Sequence, residues 1–162
     1  MQIAGHDSVE TDFQSGQFQF ALAELARDDS ADLNGTLAHM CGVAASTLDV
    51  ARASVWIFND SHSELCCVDL YDRERNVYEA GAVLEVGRYP RYFETLEECR
   101  VIAAADARTD PATSEFTPDY LDVLGITSML DVPIRREGRV IGVVCHEHIG
   151  PSRTWRQGWP WW

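Results

Sequence analysis

The chain has 162 residues, a length that fits one domain burying about two thirds of its unfolded surface around a single core. Its 13 basic residues are all arginine and face 26 acidic residues, so the net charge of -13 repels nucleic-acid phosphates and anionic lipids. The absence of lysine also excludes Schiff-base chemistry at a lysine and a P-loop lysine.

The cysteine pattern and the hydropathy of the chain indicate its cellular compartment. The five cysteines form no CxxC pair, which argues against a disulfide framework or a zinc knuckle. Residues 1–17 contain no apolar segment behind a basic start, and no run of about 18 apolar residues occurs anywhere. We therefore predict free thiols in a cytoplasmic protein with no membrane and no nucleic-acid partner.

Helical periodicity dominates the first third of the chain. Residues 1–16 are polar and predicted to be disordered. Apolar residues at helical spacing then predict a short helix over 18–27 and a stronger amphipathic helix over 33–51. Gly42 in the second helix predicts a point where another helix approaches closely.

From residue 53 the hydrophobic period changes to two, which predicts a hairpin made of ASVWIFND and ELCCVDLYD. Val55 and Trp56 would point to opposite sides, so both faces of the sheet should be covered. A short strand near 83–86, a helix opened by Pro90 and an extended segment over 101–104 follow.

The composition of DARTDPATSEF, residues 106–116, predicts a loop. The segment TPDYLDVLG that follows contains residues typical of the start and the end of a helix. Thr117 is predicted to cap this helix, Pro118 to occupy its first turn and Gly125 to end it in the left-handed conformation. Two further strands are predicted over 127–135 and 139–149.

The loop between those last strands decides which side chains share a face. A three-residue loop would pair Arg135 with Arg139, whereas a two-residue loop would exchange the partners and set His146 opposite Met129. We predict the three-residue loop. One face then carries Met129, Asp131, Cys145 and Glu147; the other carries Leu130, Val132, Ile134, Val140, Gly142, Val144, His146 and His148.

The cluster CHEH, residues 145–148, contains only metal-ligand types, but the pleat splits it between the two faces. Four ligands on one metal are therefore excluded. A site on His146 and His148 would need a third ligand from another segment, and no motif supplies one. We predict no metal site.

This order of elements is common to PAS and GAF sensory modules, and two motifs favour the second. The run YLDVLGITSMLDVPIRREGRVIGVVCHEHIGPSRTW resembles the closing half of GAF domains from bacterial signalling proteins, and VIAAADARTDP is similar to the loop before their fourth helix. The resemblance covers residues 17–155. Residues 156–162, RQGWPWW, form an atypical tryptophan-rich tail where the family has a long C-terminal helix.

The resemblance implies an α+β, profilin-like fold with an antiparallel sheet of five or six strands. Terminal helices would lie on one face of the sheet, and short helices and loops would cover a small-molecule pocket on the other. Carried over by position, the pocket residues are Tyr92, Phe93, Leu96, Asp106, Thr117, Tyr120, Met129, Asp131, Cys145 and Glu147.

Differences from known GAF subfamilies narrow the range of candidate ligands. Thr117 stands where phytochromes have a lid histidine, and the acidic motif for a bilin is missing. The "NKFDE" set of cyclic-nucleotide GAF domains is also missing. Free methionine sulfoxide reductases place cysteines in the loop where this chain has residues 103–107 and Ala112. The ligand is therefore unidentified, although Asp131 and Glu147 favour a cation or amine unless Arg108 reaches the pocket.

Three functions follow from these patterns. We favour a non-catalytic, ligand-sensing regulatory module that forms a homodimer through its N-terminal helices and acts on an output kinase or cyclase. The first alternative is a thiol enzyme of the reductase type that uses Cys99, Cys145 or the Cys66–Cys67 pair. The second is a dimerisation module built around Gly42, which the absence of a cavity above about 300 Å³ beneath the lid would support.

Overall fold

The structure is a computed structural model that describes residues 33–155. The predicted disordered segment, the predicted helix over 18–27 and the tryptophan-rich tail lie outside these residues. The helices and strands are α1 (Leu33–Thr47), β1 (Arg52–Phe58), β2 (Glu64–Asp72), β3 (Val77–Glu79), β4 (Val83–Glu85), α2 (Pro90–Glu98), β5 (Ile102–Ala104), α3 (Asp122–Leu124), β6 (Ile126–Arg136) and β7 (Arg139–Ile149). Within this part of the chain, no helix is long and apolar enough to cross a membrane.

The strands form one antiparallel sheet in the order β3-β2-β1-β7-β6-β5, and β4 also pairs with β2. The predicted α+β fold class is confirmed. The described residues contain seven strands rather than five or six. The additional strand, β3, has three residues and pairs with the end of β2, where the rings of Tyr71 and Tyr78 stack at 4.7 Å.

The two faces of the sheet support different cores. On the helix face, α1 covers a small core that includes Cys41, Ala45 and Val55. On the pocket face, α2 and the lid, which we define as residues 106–124, cover a larger core that includes Trp56 and Leu96. The prediction that Val55 and Trp56 point to opposite sides is confirmed.

The closing hairpin has a tighter turn than predicted. Arg136 pairs with Arg139, so the turn contains only Glu137 and Gly138. Both have positive φ angles, 52° and 82°, as the primed turns of two-residue hairpins require. The predicted three-residue loop is wrong because Arg136 extends the ladder instead of entering the turn.

A β-bulge then moves the strand pairing by one more residue. Arg135 pairs with Val140 but Ile134 pairs with Gly142, so Ile141 is the extra residue. Val140 is consequently buried in the core of the pocket face, whereas the sequence predicted it on the helix face.

Together the shorter turn and the bulge displace the predicted pairing by two residues, which preserves the alternation of side chains. Met129 pairs with Glu147 and Asp131 with Cys145. All four side chains lie on the pocket face as predicted, and His146 lies on the opposite face beside Ala53 of β1. Among the described residues, no group of three or more histidine, cysteine or acidic side chains is arranged to hold a metal ion.

Two glycines lie where other elements approach closely. A Cβ at Gly42 would lie 3.0 Å from the Tyr78 hydroxyl, so among the described residues a residue of strand β3 approaches this position. A Cβ at Gly142 would overlap the carbonyl oxygen of Trp56 in the neighbouring strand and lie 2.8 Å from Cδ1 of Ile57.

Helix α1 ends at Thr47 rather than near residue 51, because the chain turns at Asp49 with φ 50°.

Candidate functional site

A small cavity lies between the pocket face and the lid. Its volume is about 20 Å³, room for about one water molecule. The sequence predicted a chamber large enough for a metabolite, and aromatic side chains fill most of that space instead. The cavity is lined by Trp56, Leu65, Leu84, Tyr92, Phe116, Tyr120, Met129, Cys145 and Glu147.

Half of the predicted pocket residues line this cavity. They come from α2, from the lid and from the two closing strands, so the three elements that were expected to enclose a pocket do meet here. These residues are Tyr92, Tyr120, Met129, Cys145 and Glu147.

The other half lie around it. Asp131 is completely buried and bonds to a cavity residue. Phe93 and Leu96 are buried in the same core on α2. Thr117 and Asp106 are absent from the lining, because their side chains bond within the lid: the Thr117 hydroxyl donates to the Arg108 carbonyl, and Asp106 accepts from the Arg108 amide.

The first polar group of the site joins the lid to the sheet. The Tyr120 hydroxyl donates a 2.6 Å hydrogen bond to Oε1 of Glu147, whose side chain is buried. Nη1 of Arg52, at the start of β1, lies 3.2 Å from Oε2 of Glu147 and 3.4 Å from the Tyr120 hydroxyl. We call these three residues the latch. It neutralises the Glu147 charge and fixes the lid to two strands.

The second polar group lies deeper, on β6 and α2. The Tyr92 hydroxyl donates a 2.7 Å hydrogen bond to Oδ2 of Asp131 and lies 4.0 Å from Sγ of Cys145. Oδ1 of Asp131 is buried without a hydrogen-bond partner among the described residues. Helix α2 is held over this site because Arg135 of β6 donates to carbonyl oxygens at its C-terminal end, including that of Glu97.

The lid is built from short helical turns rather than the regular helix predicted. A 3₁₀ turn, Ser114–Phe116, is followed by a π-helical turn, Thr117–Leu121, and then by α3. The predicted Thr117 cap is wrong, since this residue has helical φ and ψ and its hydroxyl donates to the carbonyl oxygen of Arg108. Gly125 does end the lid in the left-handed conformation, with φ 71°. The π turn carries Tyr120 toward the sheet.

Burial controls the ionisation of the site. It raises the pKa of Asp131 to about 7, although the Tyr92 hydroxyl acts in the opposite direction. Burial likewise raises the pKa of Glu147, against the lowering effects of Arg52 and of the Tyr120 hydroxyl. The Cys145 thiol is held protonated, because burial and then the charge of Asp131 raise its pKa far above the ordinary value.

Comparison with known sequences agrees with this architecture. The GAF domain family matches residues 32–158. The chain belongs to the GAF domain family. No curated protein sequence is significantly similar to this GAF domain.

Solved structures share its fold at low sequence identity. The GAF domain of a phosphoenolpyruvate-protein phosphotransferase from Coxiella burnetii superposes with a TM-score of 0.66 at 17% identity, over 89% of this chain and 82% of that one. A free methionine-R-sulfoxide reductase from Neisseria meningitidis gives 0.64 at 15%, over 94% and 81%. The chromophore-binding domain of Stigmatella aurantiaca phytochrome P1 gives 0.68 at 13%, over 93% and 56%.

Sequence reasoning missed several residues of the site in this GAF domain. Trp56 was placed on the correct side of the sheet but not connected with the pocket. Phe116 was assigned to a loop, and Leu65 and Leu84 were assigned to strands but not connected with the pocket. Nothing in the sequence indicated that Arg52 is buried in the site, because a single arginine at the start of a strand usually points to solvent.

The raised pKa of Asp131 predicts a pH dependence of stability. The folded domain retains a proton on Asp131 that the unfolded chain releases, so stability falls as pH rises from about 4 to about 7, by at most about 4 kcal/mol. Asp131→Asn keeps an acceptor for Tyr92 and removes this titration. Its stability relative to wild type should therefore increase between pH 5 and pH 8, as measured by urea denaturation.

Asp119→Asn is the matched control, because Asp119 lies on the outer side of the lid in an exposed ion pair with Arg88. Its stability relative to wild type should vary little between pH 5 and pH 8. A constant difference between Asp131→Asn and wild type across that range would contradict the assigned titration.

Proposed function

We propose that this GAF domain is a non-catalytic regulatory module that senses a small molecule in signal transduction. The supporting observation is the buried polar network beside the cavity. Glu147 and Asp131 are 2% and 0% exposed, and Arg52 is 9% exposed. Burying charges contributes little to stability compared with an apolar core of the same volume. Their concentration under a lid therefore favours a role in binding.

The latch also offers a path from the lid to the flanks of the domain. Arg52 begins β1 only five residues after α1 ends at Thr47. Between them, Nη1 of Arg153 donates to the carbonyl oxygens of Leu48 and Asp49. The segments that precede and follow the sheet thus meet beside Arg52. Movement of Tyr120 would change the contacts of Arg52 at this corner.

Because the cavity is so small, we infer that the lid is closed in this structure. A ligand larger than water has to displace Tyr120 or shift the lid, and it would then stabilise an open arrangement at the expense of the latch. We infer that ligand binding shifts the population between these two lid positions. An output kinase or cyclase and a homodimer through the N-terminal helices are the partners we propose for this signal.

Native mass spectrometry of freshly purified protein tests the sensing function, followed by a thermal-shift screen of cytoplasmic metabolites. We expect a small molecule that binds one per pocket and binds less well to Glu147→Gln. The control is Glu79→Gln, because Glu79 forms an exposed ion pair with Arg75 on the far edge strand. If no compound binds, or if both variants bind equally well, the proposal fails.

The non-catalytic assignment is part of this proposal. Three of the five thiols, Cys41, Cys67 and Cys145, are buried, and burial raises the pKa of each. A reductase nucleophile needs an accessible thiolate. Cys66 and Cys99 are partly exposed and are the thiols left for the enzyme alternative. If the domain is non-catalytic, treatment with methionine sulfoxide leaves the intact mass of the protein unchanged. A disulfide or a sulfenic acid formed during turnover would support the enzyme alternative.

A dimerisation module without a ligand is the second candidate, and the cavity volume favours it. About 20 Å³ is far below the roughly 300 Å³ of an ordinary ligand pocket. Gly42, however, is approached by Tyr78 of the same chain. Sedimentation analysis together with the metabolite screen separates the two functions. A stable dimer that binds no compound would favour this candidate.

A further inference from the structure

The walls of the cavity combine aromatic rings with one carboxylate. Trp56, Tyr92, Phe116 and Tyr120 contribute rings, and Glu147 contributes the carboxylate. The rings of Tyr92 and Phe116 meet edge to face at 4.7 Å, and those of Phe116 and Tyr120 are tilted by 59° at 6.3 Å. Differently oriented rings around a small space, with a carboxylate beside them, resemble the aromatic cages that bind ammonium groups.

We infer that this pocket takes the head group of a small alkylammonium cation. The inference rests on the proposed sensing function and specifies its ligand class. Aromatic faces attract a cation through their quadrupole, and the attraction is strongest where water is excluded. The cavity meets this condition, because its ring-bearing residues Trp56, Tyr92 and Phe116 are 4%, 2% and 3% exposed.

The charges around the pocket favour a cation over an anion. Glu147 lines the cavity, whereas Arg52, its ion-pair partner, does not. Arg108, which could have supplied a positive charge, pairs with Asp122 at 2.9 Å within the lid and does not line the cavity. Of the two latch charges, only the carboxylate of Glu147 lines the cavity; the guanidinium of Arg52 pairs with it at 3.2 Å and lies 5.8 Å from the centroid of the Tyr120 ring.

The volume limits the head group and involves the latch. A space of about 20 Å³ accepts one water-sized group, comparable to an ammonium nitrogen. An alkyl substituent needs more room, and Tyr120 is the ring that the lid can withdraw. Tyr120 would then exchange its hydrogen bond with Glu147 for contact with the ligand, and Glu147 would become the acceptor for an ammonium N–H or the counter-ion of a methylated head group.

Titration with methylammonium chloride, at constant ionic strength set with sodium chloride, tests the inference. The wild-type melting temperature should rise with methylammonium concentration and not when sodium replaces it. Phe116→Leu retains an apolar side chain without the ring, and Glu147→Gln removes the charge. Both should weaken the apparent affinity about tenfold or more. Glu79→Gln, on the far edge strand, should bind as wild type does.

An equal response to sodium, or unchanged affinity in Phe116→Leu, would overturn the alkylammonium assignment. The same plates should include acetate and uncharged amides. If one of these stabilises wild type but not Glu147→Gln, the ligand class is wrong while the sensing function stands. If no class of compound has any effect, the sensing function fails together with the inference.

Discussion

Glu147→Ala is expected to lower the free energy of unfolding by about 3 to 5 kcal/mol, because it leaves the buried guanidinium of Arg52 without its counter-charge. The Tyr120 hydroxyl loses its acceptor in the same change. The effect is large because both partners are shielded from water, which could otherwise replace the lost contacts. Urea denaturation at pH 7 measures the loss.

A double-mutant cycle separates the ion pair from general damage to the core. Arg52→Ala should cost a similar amount, and the double variant should cost clearly less than the two single changes added together. The exposed pair Arg75–Glu79 provides the control, since Glu79→Ala should leave the free energy of unfolding close to that of wild type. Strict additivity for Arg52 and Glu147 would mean that the latch is not a coupled unit.

Gly142→Ala is expected to lower the free energy of unfolding by roughly 3 kcal/mol, the upper range for overpacking a core. The added Cβ would overlap the carbonyl oxygen of Trp56, which is backbone of the neighbouring central strand and cannot rotate away. Relief requires β1 and β7 to separate beside the bulge at Ile141. The pocket would be disturbed as well, because Trp56 forms one of its walls.

Gly87→Ala is the matched control for this substitution. A Cβ at that position meets no atom within 4 Å, and Gly87 does not have the positive φ that disfavours other residues. Its stability should lie within about 0.5 kcal/mol of wild type or slightly above it. If the two alanine variants unfold at the same urea concentration, close strand packing is not the reason for glycine at position 142.

The fold could be predicted because its strongest signals are local. The change of period at residue 53, Pro90 in the first turn of α2 and Gly125 after the lid each report a local preference that the structure retains. The register of the closing hairpin could not be predicted in full. The turn type depends on the φ angles of Glu137 and Gly138, and the bulge depends on packing between strands. Neither feature produces a hydrophobic periodicity that can be recognised in the sequence.

The site was predictable only where it follows from strand alternation. Alternation alone put Met129, Asp131, Cys145 and Glu147 on the pocket face, and a register error of two residues did not change that result. The volume of the pocket could not be obtained in this way, because it depends on side-chain directions in the lid. The π-helical turn that directs Tyr120 toward Glu147 has no sequence signature that we recognise.

The most direct test of the account is hydrogen exchange measured by mass spectrometry on Tyr120→Phe, which removes a single hydroxyl group from the latch. If the latch couples the lid to the flanks, amide exchange should become faster both in residues 114–124 and in residues 48–52, while β3 exchanges as in wild type. Tyr78→Phe, at a half-exposed ring on β3, should change neither region. Faster exchange confined to the lid, or no change at all, would contradict a regulatory connection through Glu147 and Arg52.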